Sequence, residues 1–139
     1  MPVLDTDILT IVQRRSEPEY SRLLGRLEAE RSPIWTTVVT LDEQLRGWLQ
    51  YIKRAQSHQL VRAYQRLEGL IQDFTTRPIL SFDAIALQEY ERLLEQRIRI
   101  PTKDLRIASI TLANHELLIT KNLRDFRKVP NLEVEDWTS

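Results

Sequence analysis

Short apolar runs alternate with long helical segments along this whole sequence, and that alternation leaves few folds open. The runs are Pro2-Val3-Leu4, the β-branched and aromatic stretch from Ile34 to Val39, Arg77 to Leu80, Leu117 to Thr120, and a tail run from Leu132 to Glu135. Between them lie helical segments. One follows the first run and ends near Arg15; Glu17 to Arg31 repeats Tyr20, Leu23, Leu24 and Leu27 at helical spacing and is stopped by Ser32-Pro33. Leu41 to Lys53, His58 to Phe74, Asp83 to Gln96 and Pro101 to His115 complete the set. Strands separated by helices of this length predict βα units around a largely parallel sheet, with the tail run at an edge. No low-complexity stretch, repeat or linker divides the chain, so residues 1–139 are expected to form one domain.

Ligands of parallel sheets bind beyond the carboxyl ends of the strands. Four acidic residues fall in such places: Asp5 after the first run, Glu43 after the second, Asp104 at the start of an apolar helix, and Asp125 after the last central run. Carboxylates brought together repel one another, and a hard divalent cation with oxygen ligands, Mg²⁺ or Mn²⁺, relieves the repulsion. The pattern therefore points to metal-assisted phosphodiester chemistry.

Composition removes several other chemistries. The absence of cysteine excludes disulfides, thiolate zinc sites and cysteine nucleophiles. The three glycines, Gly25, Gly47 and Gly69, form no phosphate-cradling loop. The 20 basic residues balance 20 acidic ones, so no overall positive charge advertises a nucleic-acid partner. No apolar stretch approaches the roughly 20 residues of a membrane span, and no basic-then-apolar leader opens the chain; both predict a cytoplasmic protein without membrane contact.

Each acid also has a structural reading. Asp5 and Asp7 would suit a turn into a helix, although an apolar strand running straight into Asp5 favours function. Thr40-Leu41-Asp42-Glu43 fits a capping box, with Thr40 as cap, and leaves Asp42 as a second candidate carboxylate. Asp104 sits in a first helical turn, where the dipole favours acids. The helix beyond it (Ile107, Ala108, Ile110, Leu112, Ala113) is apolar almost all round and predicts burial. Asp125 could pair with Arg124 or Arg127 in an exposed turn, while Thr120 and Asn122 add neutral oxygens beside it. His58 and His115 have no second ligand at metal spacing, and Trp35, Trp48 and Trp137 are assigned to packing.

Four blocks in order resemble the PIN-domain ribonucleases of the VapC toxin family, over essentially the full length. They are Val3-Leu4-Asp5-Thr6-Asp7-Ile8-Leu9; Thr37 to Gly47 around Glu43; Lys103-Asp104-Leu105-Arg106-Ile107-Ala108; and Thr120-Lys121-Asn122-Leu123-Arg124-Asp125-Phe126, the most specific. The resemblance implies a three-layer α/β/α sandwich with a central, mostly parallel sheet. It implies that Asp5, Glu43, Asp104 and Asp125 bind Mg²⁺ or Mn²⁺ and that the activity is endoribonucleolytic, on tRNA, ribosomal RNA or mRNA. It also implies a cognate antitoxin protein of a type II toxin–antitoxin pair and a homodimer. Asp7 stands where the family more often has Asn, and Asp42-Glu43-Gln44 departs from its usual small residue, Glu, Leu.

On this reading Asp5 is the central ligand and Asp104 the second, Glu43 binds directly or orients water, and Asp125 completes a second site or holds a water of the metal's shell. Thr120 and Asn122 support them by hydrogen bonding, and Arg46, Lys103, Lys121 and Arg124 steer phosphates. Two alternatives stay open: a non-catalytic RNA- or partner-binding PIN module, and an aspartyl-nucleophile phosphatase built on Asp5-Thr6-Asp7 with Lys121.

Overall fold

Side-chain alternation in two short strands decides the layering. In the computed structural model, which describes residues 1–139, strand β1 (Pro2–Leu4) pairs in parallel with β4 (Leu117–Ile119), Val3 opposite Leu118. Val3 and Leu118 point into one apolar cluster, while their neighbours Leu4 and Ile119 point into another. That is the period-two pattern of a strand buried on both faces.

Strand β5 (Glu133–Glu135) extends the sheet beyond β4, also in parallel. Strands β2 (Thr36–Thr37) and β3 (Ile79–Leu80) form a second parallel pair. The two groups join through a bridge between Val3 and Trp35, where the Trp35 N–H donates to Pro2 O and the Leu4 N–H to Trp35 O, each at 2.8 Å. The strand order is thus β3-β2-β1-β4-β5, parallel throughout, with β5 at an edge as expected.

Helices α1 (Thr6–Arg14), α2 (Glu19–Ala29) and α4 (Leu60–Thr76) cover the face to which Leu4 and Ile119 point, contributing Ile8, Leu9, Leu23, Leu70 and Phe74. Helices α5 (Ala84–Glu95) and α6 (Thr102–Ala113) and the single turn α7 (Leu123–Phe126) cover the other, with Leu93, Ile107, Ile110 and Phe126 wholly buried. Helix α3 (Val38–Arg54) leads from β2 and packs on α4. This is the three-layer α/β/α arrangement. No helix is long and apolar enough to cross a membrane.

One local expectation is corrected. The run from Ile34 to Val39 is not strand throughout: only Thr36 and Thr37 pair, and α3 already begins at Val38. The cap is Thr37, not Thr40; its hydroxyl accepts the Thr40 N–H at 3.2 Å. The capping bond and burial of Val39 override the strand preference of two consecutive valines. Thr40 therefore lies inside the first turn, and Glu43 is released from any capping role.

Candidate active site

Strand β1 ends at Leu4, and the chain turns at once into α1, so Asp5 is both the first residue beyond the strand and the N-cap of the helix. Its Oδ1 accepts the Ile8 N–H at 2.9 Å, and its Oδ2 accepts the Thr120 hydroxyl at 2.6 Å. Thr120 follows β4, the neighbouring strand, and its Oγ1 also accepts the Asn122 N–H at 2.9 Å. With its one proton given to Asp5, the Thr120 hydroxyl has a fixed orientation. Asn122 caps α7 and donates through Nδ2 to Asp125 Oδ2 at 2.9 Å. An unbroken polar chain thus links Asp5, Thr120, Asn122 and Asp125.

A second relay fixes Glu43. Thr6 Oγ1 donates to Glu43 Oε1 at 2.7 Å and lies 3.0 Å from Thr40 Oγ1. Because Thr6 has spent its only proton, Thr40 is the donor in that contact. Glu43 Oε1 is held from α1 while Oε2 accepts no hydrogen bond from the protein. The sequence reading did not single out Thr6. Its only local signal was a hydroxyl lying between two carboxylates, and its partner is far away in the chain.

Asp5, Thr6, Asp7, Glu43, Lys103 and Asp104 line one open pocket of about 380 Å³, with no hydrophobic residue in its wall. Asp104, in the first turn of α6, accepts no protein hydrogen bond and is pushed up to about 6, first by burial and then by the charges of Glu43, Asp7 and Asp125. Asp5, 4% exposed, is pushed up to about 7. Burial dominates there too; the Thr120 and Ile8 hydrogen bonds pull the other way, and Asp7 and Asp104 add repulsion.

Asp125 lies outside the pocket wall. Asn122 first, and Lys128 with its Nζ 3.6 Å from Oδ1, hold its carboxyl below the usual range. It therefore stays ionised and acts on Asp104 through its field. Of the expected phosphate-steering cations, only Lys103 lines the pocket, and its Nζ lies 3.3 Å from Asp42 Oδ2. Arg46 Nε meets Asp42 Oδ1 at 2.5 Å, so Asp42 serves two cations. Lys121 pairs with Glu19 at 2.9 Å. Arg124 forms no ion pair within 4.0 Å and adds to the field on Asp125. Lys121's engagement on α2 gives an aspartyl-phosphatase arrangement no support.

The donor set suits a hard divalent cation. All its donors are oxygens, several are anionic, and two are driven toward protonation by burial and by neighbouring carboxylates. The groups do not stand at ligand spacing as a ready-made cage.

No family model matches the sequence. The chain is 28% identical over 137 residues to ribonuclease VapC2 of Rickettsia felis, covering 97% of this chain and 96% of that protein. Its fold matches a chain of VapBC-1 from nontypeable Haemophilus influenzae with a TM-score of 0.74 and 21% identity, covering 99% and 98% of the two chains. It also matches a chain of VapBC2 from Rickettsia felis, solved bound to a fragment of promoter DNA, with a TM-score of 0.72, 24% identity and 99% coverage of each chain.

Proposed function

We propose that this VapC-like PIN-domain protein is a divalent-metal-dependent endoribonuclease, the toxin half of a toxin–antitoxin pair acting in the cytoplasm. The observation that carries the reading is the convergence of Asp5, Glu43 and Asp104 in one polar pocket, with Asp5 and Asp104 raised toward neutrality first by burial and then by the charges of neighbouring carboxylates. Kinship with a ribonuclease along nearly the whole chain supports the RNA substrate, and the VapBC assemblies that share the fold support a protein antitoxin. Exposed Leu87 and Leu94, two turns apart on one face of α5, offer apolar surface for a homodimer.

Asp5 and Asp104 would hold Mg²⁺ or Mn²⁺, with Glu43 and Asp7 within the same pocket. The bound cation supplies Lewis acidity and neutralises charge gathering on the phosphate oxygens. The protein's own groups do the rest. Thr120 and the Ile8 N–H each occupy one lone pair of Asp5 and fix the plane of its carboxylate. Glu43, held through Oε1 by Thr6, keeps Oε2 free to orient the attacking water and take its proton. Water oxygen bonds to phosphorus, the ester P–O bond breaks, and the proton passes to the departing oxygen. Lys103 exchanges Asp42 for a phosphate oxygen of the substrate. Asp125 orders the Asn122 turn and adds negative field at Asp104.

Incubation of the purified chain with total RNA in Mg²⁺, Mn²⁺ or EDTA tests this directly, with Asp104→Asn beside it. Discrete fragments that require metal and vanish in the variant are expected. Uncut RNA in every arm, from folded protein free of antitoxin, would instead favour a non-catalytic binding module.

Thr120→Val should lower cleavage roughly 10- to 100-fold, the usual loss when a group that orients a metal ligand is removed. Thr120→Ser should restore most of it, because the hydroxyl matters and not the methyl. Equal loss in both variants would point to packing alone.

A further inference from the structure

A second, larger groove of about 1250 Å³ opens between α1, α2, α3 and α4. Its cations are in excess: Arg14, Arg15, Arg62 and Arg66 line it, are exposed, and form no ion pair within 4.0 Å. The one carboxylate in the wall, Asp73, is already occupied by Arg77 at 2.7 Å and Gln13 at 2.9 Å. Unpaired arginines facing one concavity raise its potential and favour a polyanion. Trp48 and Tyr51, also in the wall, meet edge to face at 5.7 Å, and Tyr51 is 42% exposed.

The groove and the carboxylate pocket are built on the same two helices, α1 and α3. Helix α1 begins with Asp5 and Thr6 at the pocket and ends with Arg14 and Arg15 at the groove. On α3, Glu43 faces the pocket and the adjacent Gln44 faces the groove. The groove wall on these two helices is polar: Gln44 donates to Thr10 Oγ1 at 3.3 Å and exchanges hydrogen bonds with Gln13 at 2.7 and 3.1 Å. From Thr6 to Arg14 the helix rises about 12 Å, the length of three to four stacked nucleotides at about 3.4 Å each.

Two glycines line the groove. Gly47 on α3 and Gly69 on α4 lie inside helices, where glycine is unfavourable, and neither has a positive φ. A Cβ at either would meet nothing within 4 Å, so packing does not demand their small size.

We propose that this groove is a track for single-stranded RNA that carries the substrate strand beyond the cleavage pocket. Arg14, Arg15, Arg62 and Arg66 neutralise phosphates, and Trp48 with Tyr51 offers a stacking surface for a base. The assignment rests on the reading that the pocket cuts RNA, and it names where the uncut part of that RNA lies.

Binding is measured apart from cleavage, in EDTA, by fluorescence anisotropy of labelled oligoadenylate across a salt series. The double variant Arg62→Glu/Arg66→Glu should bind at least ~10-fold more weakly, with its log–log salt slope reduced by about 1.4, the value for two single-strand phosphate contacts. Gly47→Leu should also weaken binding by filling the groove, yet its melting temperature should not fall, because leucine suits the helix better. Unchanged binding in both variants would overturn the track, as would retained RNA binding with loss of polyglutamate binding, which would assign the groove to an acidic protein segment. If the chain cuts RNA and the variants bind it like the parent, the track fails and the nuclease stands; if variants lose binding in a chain that cuts nothing, the reverse holds.

Discussion

Asp5→Asn will remove RNA cleavage, by more than about 10³-fold, and leave the fold intact. The magnitude follows from the several kcal/mol of transition-state stabilisation that a catalytic cation contributes, at about 1.4 kcal/mol per tenfold in rate. Asn at this position retains the cap: its Oδ1 can still accept the Ile8 N–H, and Asn caps helices about as well as Asp. Its Nδ2 would face Thr120 Oγ1 where a carboxylate oxygen now accepts. The hydroxyl can turn and accept from it, since an Oγ1 has two lone pairs and Asn122 uses one. What disappears is a negative charge that the metal-free fold holds at a loss. Wild type and variant are compared by RNA cleavage in Mg²⁺ and by thermal unfolding in EDTA. A folded variant that still cuts at the parental rate would remove Asp5 from the chemistry.

The framework of that site was legible because its ends are local events. Pro2-Val3-Leu4 is apolar on both faces of a strand, and Asp5 is the next residue, so strand end and carboxylate were visible together. Asp104 was legible because its helix buries residues from Leu105 to Thr111 almost without interruption. What could not be read depends on contacts between distant residues. Two consecutive valines look like strand, and only the Thr37 cap with the burial of Val39 places the start of α3 at Val38. That shift by part of a turn frees Glu43 from capping and aims it at Thr6, a partner 37 positions away. The sharing of Asp42 is hidden on one side only: its pair with Arg46 spans one helical turn, but Lys103 reaches it from 61 residues away. Strand order was similarly hidden: β2 joins β1 through a single bridge at Trp35, which no periodicity announces.

In the metal-free protein, stability should fall as pH rises from about 4 to about 7, and a divalent cation should reverse the trend. Asp5 titrates near 3.8 when unfolded and at about 7 when folded. Between those values the native state holds the extra proton, so raising the pH favours unfolding. Three units correspond to about 4 kcal/mol lost by pH 8. Asp104, raised to about 6, acts in the same direction over a narrower window. Asp42, Asp73 and Asp125 are lowered, so their contributions are present above about 4 and lost below it, which places the metal-free optimum in mild acid. Mg²⁺ or Mn²⁺ competes with the protons on Asp5 and Asp104 and should stabilise far more at pH 8 than at pH 5. At a hundredfold excess over its dissociation constant the gain is about 2.7 kcal/mol, on the order of 10 °C in melting temperature for a chain of this size. Melting curves at both pH values, in EDTA and in each metal, check the sign. Asp5→Asn should flatten most of the pH dependence in EDTA and abolish most of the metal-induced rise. A cation shift of equal size at both pH values, or one that survives Asp5→Asn, would place the cation somewhere other than this pocket.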